Sequence, residues 1–318
     1  MIATLAMLSA ITVSTKAQLD AAIARARGGE VIQLAKGNYG KVGIGGRKFS
    51  STVTLQSANA AAPATFSTLQ LGNVRNITFK DIEITRARGN DPVWAKMVEI
   101  YDSANVSFVG GYVHGPANGN WQDDMYGIYA RYSSNVRISG VAFHDLSVAL
   151  TLEDSDGYTV ENSFFSYISR DAMNIPGTRS GRIDNNAMFL FNTAPDAHPD
   201  GIQCWTSGKK TGCKNMQITN NKFFGAPGHE YQGIFFGDEA NVGGFDNIQI
   251  TGNVMTNLMW HAIYIGGTGR GVTIRNNTVT AGPTYRSWIR TVGAAVLSGN
   301  VAPMYVIAGK EGVPAGNR

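Results

Sequence analysis

The chain has 318 residues, 43% hydrophobic and 16% charged, with a net charge of +4. That is enough apolar content for a globular core, and with no Lys/Arg run a nucleic-acid partner is not expected. No stretch of about 18 apolar residues occurs, so no membrane span is expected either. Two cysteines are too few for a disulfide scaffold or a zinc site.

The opening "MIATLAMLSAITVS" is apolar but lacks the basic start and small-residue cleavage pattern of a signal peptide. It reads as mature protein, a first strand or an intersubunit contact. Next, "STKAQLDAAIARARGGEVIQL" reads as a helix and then a strand. Thr15 is the N-cap with Gln18 reciprocating, Leu19, Ala22, Ile23 and Ala26 form an apolar stripe, and Gly28-Gly29 stop the helix. Residues 1–35 are therefore an N-terminal segment and cap, closing an end whose open strand edges would otherwise invite aggregation.

From residue 36 to 303 one pattern recurs, Asn/Gly-aliphatic-x-aliphatic-x-Asn/Gly, as in "NVRNITFKDIEI", "NVRISGVAF", "NMQITNNKFF" and "NIQITGNVM". A second strand precedes each copy, among them "YGIYAR", "DGIQCW", "QGIFFG" and "HAIYIG". The spacing, roughly 22 to 32 residues, is one coil of a parallel β-solenoid with inserted loops. Asn186, Asn221, Asn253, Asn277 and Asn300 fall at equivalent positions, as an internal amide ladder requires. Residues 304–318 form a C-terminal tail.

On these residues the chain resembles the pectin-lyase-like superfamily over nearly its full length. The opening "TKAQLDAAIARARGGEVIQLAKGNY" is similar to the cap and first coil of its lyases and of bacteriophage tailspikes. The resemblance implies an all-β fold: a single-stranded right-handed parallel β-helix of about nine or ten coils with an N-terminal α-helix cap.

Aligning the second strands on their Gly/Ala column sets the outward side chains in rows about 4.8 Å apart. One row reads Lys96, Tyr126, Val148, Asp171, Asp200, Gln232, His261, Ser287. Another reads Glu99, Tyr129, Thr151, Asn174, Gln203, Phe235, Tyr264, Arg290. The loops "RGNDPVWAK", "GPANGNWQDDM", "NTAPDAHPD" and "GAPGHEYQ" all enter this strand from its N-terminal end, as walls of a groove would. Asp171 and Asp200 become stacked neighbours, with Asp196 and His198 on the loop above. Two carboxyls so close cannot both ionise freely, so one is expected to serve as an acid at neutral pH. The plainer alternative is that Asp200 caps a turn before Gly201 and His198-Pro199 shapes the loop.

"HPDGIQ" is similar to the Asn-Thr-Asp-Gly strand of polygalacturonase-type hydrolases, "WHAIYIGG" to their Gly-His-Gly strand, and "WIRT" to their Arg-Ile-Lys strand. That resemblance implies a catalytic acid at Asp200, a site histidine at His261 and a carboxylate binder at Arg290. Their Asp-Asp pair is replaced here by "EYQG", which leaves Glu230 as the nearest acid. "DAHPD" is similar to the Asp-Pro-His-acid motif of alginate epimerases and lyases, with Pro after the His.

The expectation is a glycoside hydrolase acting on an acidic polysaccharide. A lyase or epimerase, with His198 or His261 as base and Arg170, Arg131 or Arg290 as carboxylate neutraliser, is the alternative. A non-enzymatic virion spike or adhesin is a third. Trp205, Tyr264, Tyr129 and Trp121 are apt platforms for pyranose rings. Gln203 and Asn174 are expected to bind substrate beside them. No cofactor is expected, although acids in "QDDM" and "GDEAN" suit calcium. Cys204 and Cys213 are read as free thiols in preference to a bridge. Two apolar ends suggest an extracellular homotrimer, a phage tailspike in preference to a secreted bacterial enzyme.

Overall fold

The computed structural model describes residues 10–318. The first nine residues of the apolar opening lie outside the described residues. Its end, Ile11–Val13, is a strand paired in parallel with Val31–Leu34. The helix forms over Lys16–Arg25, where Thr15 accepts from the Gln18 amide and Leu19, Ala22 and Ile23 are buried. The Gln18 side chain reaches back to the Ser14 amide at 2.8 Å. The Arg47 guanidinium donates to the carbonyls of Ile23, Ala24 and Ala26, closing the far end of the helix.

The strands sort into three sheets of 12, 9 and 12 strands, parallel throughout except where Lys310–Glu311 pairs antiparallel with Tyr305–Ile307. The chain is a right-handed parallel β-helix. Its strands alternate inward and outward side chains, so Val106, Val136 and Ile77 stack in one inner column, each wholly or almost wholly buried. The corners need left-handed backbone, and Asn supplies it at low cost because its short amide bonds locally. Asn76, Asn105, Asn135, Asn215 and Asn247 all have φ between 53° and 63°.

The internal amide ladder runs through Asn186, Asn221, Asn253, Asn277 and Asn300, each Nδ2 donating to the next Oδ1 at 2.9 to 3.0 Å. A second ladder, of serines, was not read from the sequence. The backbone amides of Val74, Ser103 and Ser133 donate to the hydroxyls of Ser103, Ser133 and Ser155.

Two expectations need correction. Cys204 and Cys213 are bridged rather than free, with Cα atoms 6.6 Å apart, because the turn after Trp205 folds Cys213 back into the coil interior. The C-terminal run is tied back to the last coil, while Val296 and Val313 stay 55% and 62% exposed. Asn317 takes the last ladder position by accepting from Asn300, and the buried Tyr305 donates its hydroxyl to the Arg318 carbonyl. The strands Val31–Leu34 and Tyr305–Ile307 pair into the sheets, so the solenoid extends past residues 36 and 303 on both sides.

Candidate active site

The outer face of the third sheet, built from strands such as Tyr126–Arg131, Asp200–Trp205, Gln232–Gly237 and His261–Ile265, carries both sequence-derived rows. The second row follows the observed register throughout, from Glu99 beside Tyr129 to Tyr264 beside Arg290. In the first row Lys96 pairs with Tyr126 and Asp200 with Gln232, and the row departs at its end. A register shift at His261 sets Trp288, not Ser287, beside it, and such bulges re-aim side chains. Ser287 is turned inward, its hydroxyl donating to the Leu258 carbonyl.

Asp171 and Asp200 occupy adjacent rungs. The Asp200 amide donates to Asp171 Oδ1 at 3.0 Å, and Asn174 Nδ2 donates to Asp171 Oδ2 at 3.2 Å. Asp200 is 0% exposed; its Oδ2 meets His198 Nδ1 at 3.2 Å and its Oδ1 is buried with no hydrogen-bond partner. Burial pushes Asp200 up to about 8, against the pull of the His198 bond. Burial also lifts Asp171 to about 6, against its bonds to Asn174 and the Asp200 amide. Both carboxyls are raised, and removal from water is the leading cause, ahead of the mutual repulsion expected from their spacing.

His198 lies at the surface, its pKa raised chiefly by the Asp200 bond. The Gln232 amide joins it to His261, with Nε2 on His198 Nε2 and Oε1 on His261 Nδ1. Burial, then the charges of Arg290 and His198, push His261 down to about 4, so it is neutral at physiological pH. Phe235 stacks on Tyr264 at 4.8 Å and meets His198 and His261 edge-on. The Arg290 guanidinium lies 5.7 Å from the centre of the Tyr264 ring.

The structure thus gathers Asp171, Asp200, His198, His261, Asn174, Gln203, Tyr264 and Arg290 on one face. Others stand apart. Asp196 pairs with Arg170 at 2.8 Å on the exposed rim, which occupies both. Glu230 sits in the 225–231 loop, outside this hydrogen-bonded set, and Trp205 lies at the far end of its strand beside Gly237. Tyr129 donates to Glu153 under the Lys96 ammonium, in a cluster held together by Arg131 and Lys209.

Gln232, Phe235 and Trp288 were not singled out in sequence as site residues. Asp124 was read only as a loop acid, yet it is 5% exposed and burial lifts it to about 7. In the two loops considered for calcium, Asp123 accepts from Asn118 and Asp238 from Thr206, while Asp123 Oδ1, Asp124 Oδ2 and Asp238 Oδ2 are buried without a hydrogen-bond partner. Among the described residues no three His, Cys, Asp or Glu side chains converge as a metal site would need. No described helix is long and apolar enough to cross a membrane.

The protein family described as "Right handed beta helix region" matches residues 126–302. No curated protein matches the chain. Among solved structures, the alginate lyase from Paenibacillus sp. str. FPU-7 is 15% identical, covering 92% of this chain and 94% of its own, with a TM-score of 0.57. PfbA, a surface adhesin of Streptococcus pneumoniae, is 13% identical over 92% and 91%, at 0.62. The Family 28 exopolygalacturonase of Yersinia enterocolitica is 13% identical over 92% and 71%, at 0.60. At these identities the likeness is one of fold, and that fold hosts lyase, hydrolase and adhesin alike.

Proposed function

The chain belongs to the right-handed β-helix family, and on that premise we propose that it binds an acidic polysaccharide along the outer face of the third sheet and hydrolyses it. The observation that carries this reading is the Asp171–Asp200 pair on adjacent rungs, with environments that separate their protonation. Between about pH 6 and about 8 Asp171 is a carboxylate and Asp200 keeps its proton. Glycoside hydrolysis needs that division: an acid to protonate the departing oxygen, and a carboxylate to attack or to activate water.

His198 covers Asp200, so the glycosidic oxygen reaches the Asp200 proton once the imidazole swings aside. Asn174 and Gln203 flank the pair, and Phe235 and Tyr264 offer flat apolar faces to pyranose rings. Arg290 lies where it would meet a uronate carboxylate. The Cys204–Cys213 bridge suits an oxidising, extracellular setting.

Elimination is the second reading, favoured by a neutral His261 within the influence of Arg290, a base beside a carboxylate neutraliser. Digesting a panel of pectins and bacterial exopolysaccharides separates the two. Hydrolysis yields new reducing ends alone, whereas elimination adds the ultraviolet absorbance of an unsaturated uronate. Asp200→Asn is expected to abolish product while glycan binding persists. Unchanged product formation by that variant removes the acid from the mechanism, and binding with no product in the wild type leaves an adhesin.

A further inference from the structure

Gln232 is 1% exposed, and its amide is held between two imidazoles. An amide nitrogen only donates and an amide oxygen only accepts. His198 Nε2 must therefore carry a lone pair, which puts the His198 proton on Nδ1, facing Asp200 Oδ2. By the same logic His261 holds its proton on Nδ1 and a lone pair on Nε2. Asp200, His198, Gln232 and His261 form one chain with a defined direction.

A half-turn of the amide gives the other arrangement that matches donor to acceptor on both sides of Gln232. The oxygen then accepts from a protonated His198 Nε2, and the nitrogen donates to a bare His261 Nδ1. With its Nδ1 proton retained, His198 is now an imidazolium beside Asp200, and the His261 proton is on Nε2, an atom buried without a hydrogen-bond partner. Mixed arrangements set donor against donor or acceptor against acceptor, which leaves buried polar groups unpaired and is disfavoured.

We infer that Gln232 is a positioning residue that converts the protonation of His198 into the tautomer of His261. His261 Nε2, buried and without a hydrogen-bond partner, holds a lone pair while His198 is neutral and an N–H once His198 is a cation. Protons balance: His198 takes one from solvent, while His261 gives one up at Nδ1 and takes one at Nε2, for a net uptake of one. The charged groups facing the chain are Asp200 and Asp171 at His198, and Arg290 at His261. Burial and Arg290 keep His261 from charging, so the tautomer is what can change, while the Asp171 carboxylate favours the His198 cation. The use of this coupling in catalysis rests on the groove's polysaccharide-processing role, but the coupling itself does not.

Nitrogen-15 NMR of the imidazoles in the full chain, titrated without glycan from pH about 5 to about 9, reads it directly. The His261 Nε2 signal is expected to change from lone-pair to N–H character at the midpoint where His198 gains its proton. Gln232→Met should keep the His198 titration and leave the His261 tautomer unmoved. Gln232→Glu, which accepts from both rings, should freeze His261 with its lone pair on Nε2. A wild-type His261 tautomer indifferent to His198, or coupling that survives either variant, overturns the inference. Because no substrate is present, failure of the hydrolase reading leaves this result standing, and the reverse holds as well.

Discussion

At the scale of single residues, Asp200 holds its proton because the fold denies it water, and two consequences follow. A carboxylate at Asp171 and an acid at Asp200 give kcat/KM a bell-shaped pH profile, with limbs near 6 and near 8; a profile still rising above pH about 9 would contradict these roles. Stability should move with pH as well. Below about pH 4, Asp200 is protonated both folded and unfolded. From there to about 8 the folded chain keeps a proton that the unfolded chain has lost, so stability falls as pH rises. Asp171 and His198, both raised, act in the same direction. Asp200→Asn removes the largest of these penalties, and urea unfolding should show it gaining on the wild type by on the order of a few kcal/mol between pH about 5 and about 8. The adjacency of Asp171 and Asp200 was legible because strand period and coil period together leave one register. Trp288 was not, since an extra residue at a bulge leaves no mark in a pattern of alternation. The orphaned Asp200 Oδ1 was equally invisible, because burial depends on what the 190–199 loop lays over it.

At the scale of elements, the Cys204–Cys213 bridge ties the strand Asp200–Trp205 of the groove to Lys214–Thr219 of the next sheet, across a turn closed by the Lys209 amide on the Thr206 carbonyl. Alternation alone places Cys204 inward with Ile202. The burial of Cys213 depends on how that turn folds back, and its glycines and lysines do not encode the path. The bridge closes a short loop, with a sequence separation of 9, which corresponds to about 2–3 kcal/mol in chain-entropy accounting. Replacing both cysteines with alanine should lower the thermal midpoint accordingly, and reductant should leave the double variant unaffected while destabilising the wild type. Equal midpoints for the two proteins would show that the turn holds itself. The repeated strands and the amide ladder were readable because the same residues recur at each coil. The serine ladder escaped because Ser103, Ser133 and Ser155 resemble ordinary turn residues until their stacking is seen.

At the scale of the whole molecule, the two ends are treated alike, a helix over the first coil and the 305–318 run over the last. The C-terminal run is held by hydrogen bonds from within its own chain, although Val296 and Val313 there stay exposed. Light scattering of the full chain is expected to give the mass of one protomer, 34.0 kDa, and a stable threefold mass would return the spike to consideration. The ladders have one more consequence, an electrical one. In the internal ladder every amide donates forward along the chain, from Asn186 to Asn221 and on to Asn317, whereas at the outer corners Asn105, Asn135, Asn185 and Asn247 donate backward. Amide dipoles aligned head to tail would add along the long axis as they do in a helix, but these two sets oppose each other. On the proposed reading, ladder polarity would give an acidic polysaccharide little preferred direction. Its heading, reducing end first or last, would fall to the asymmetry of the face itself, with the paired acids at one point along it and Arg290 three coils further on.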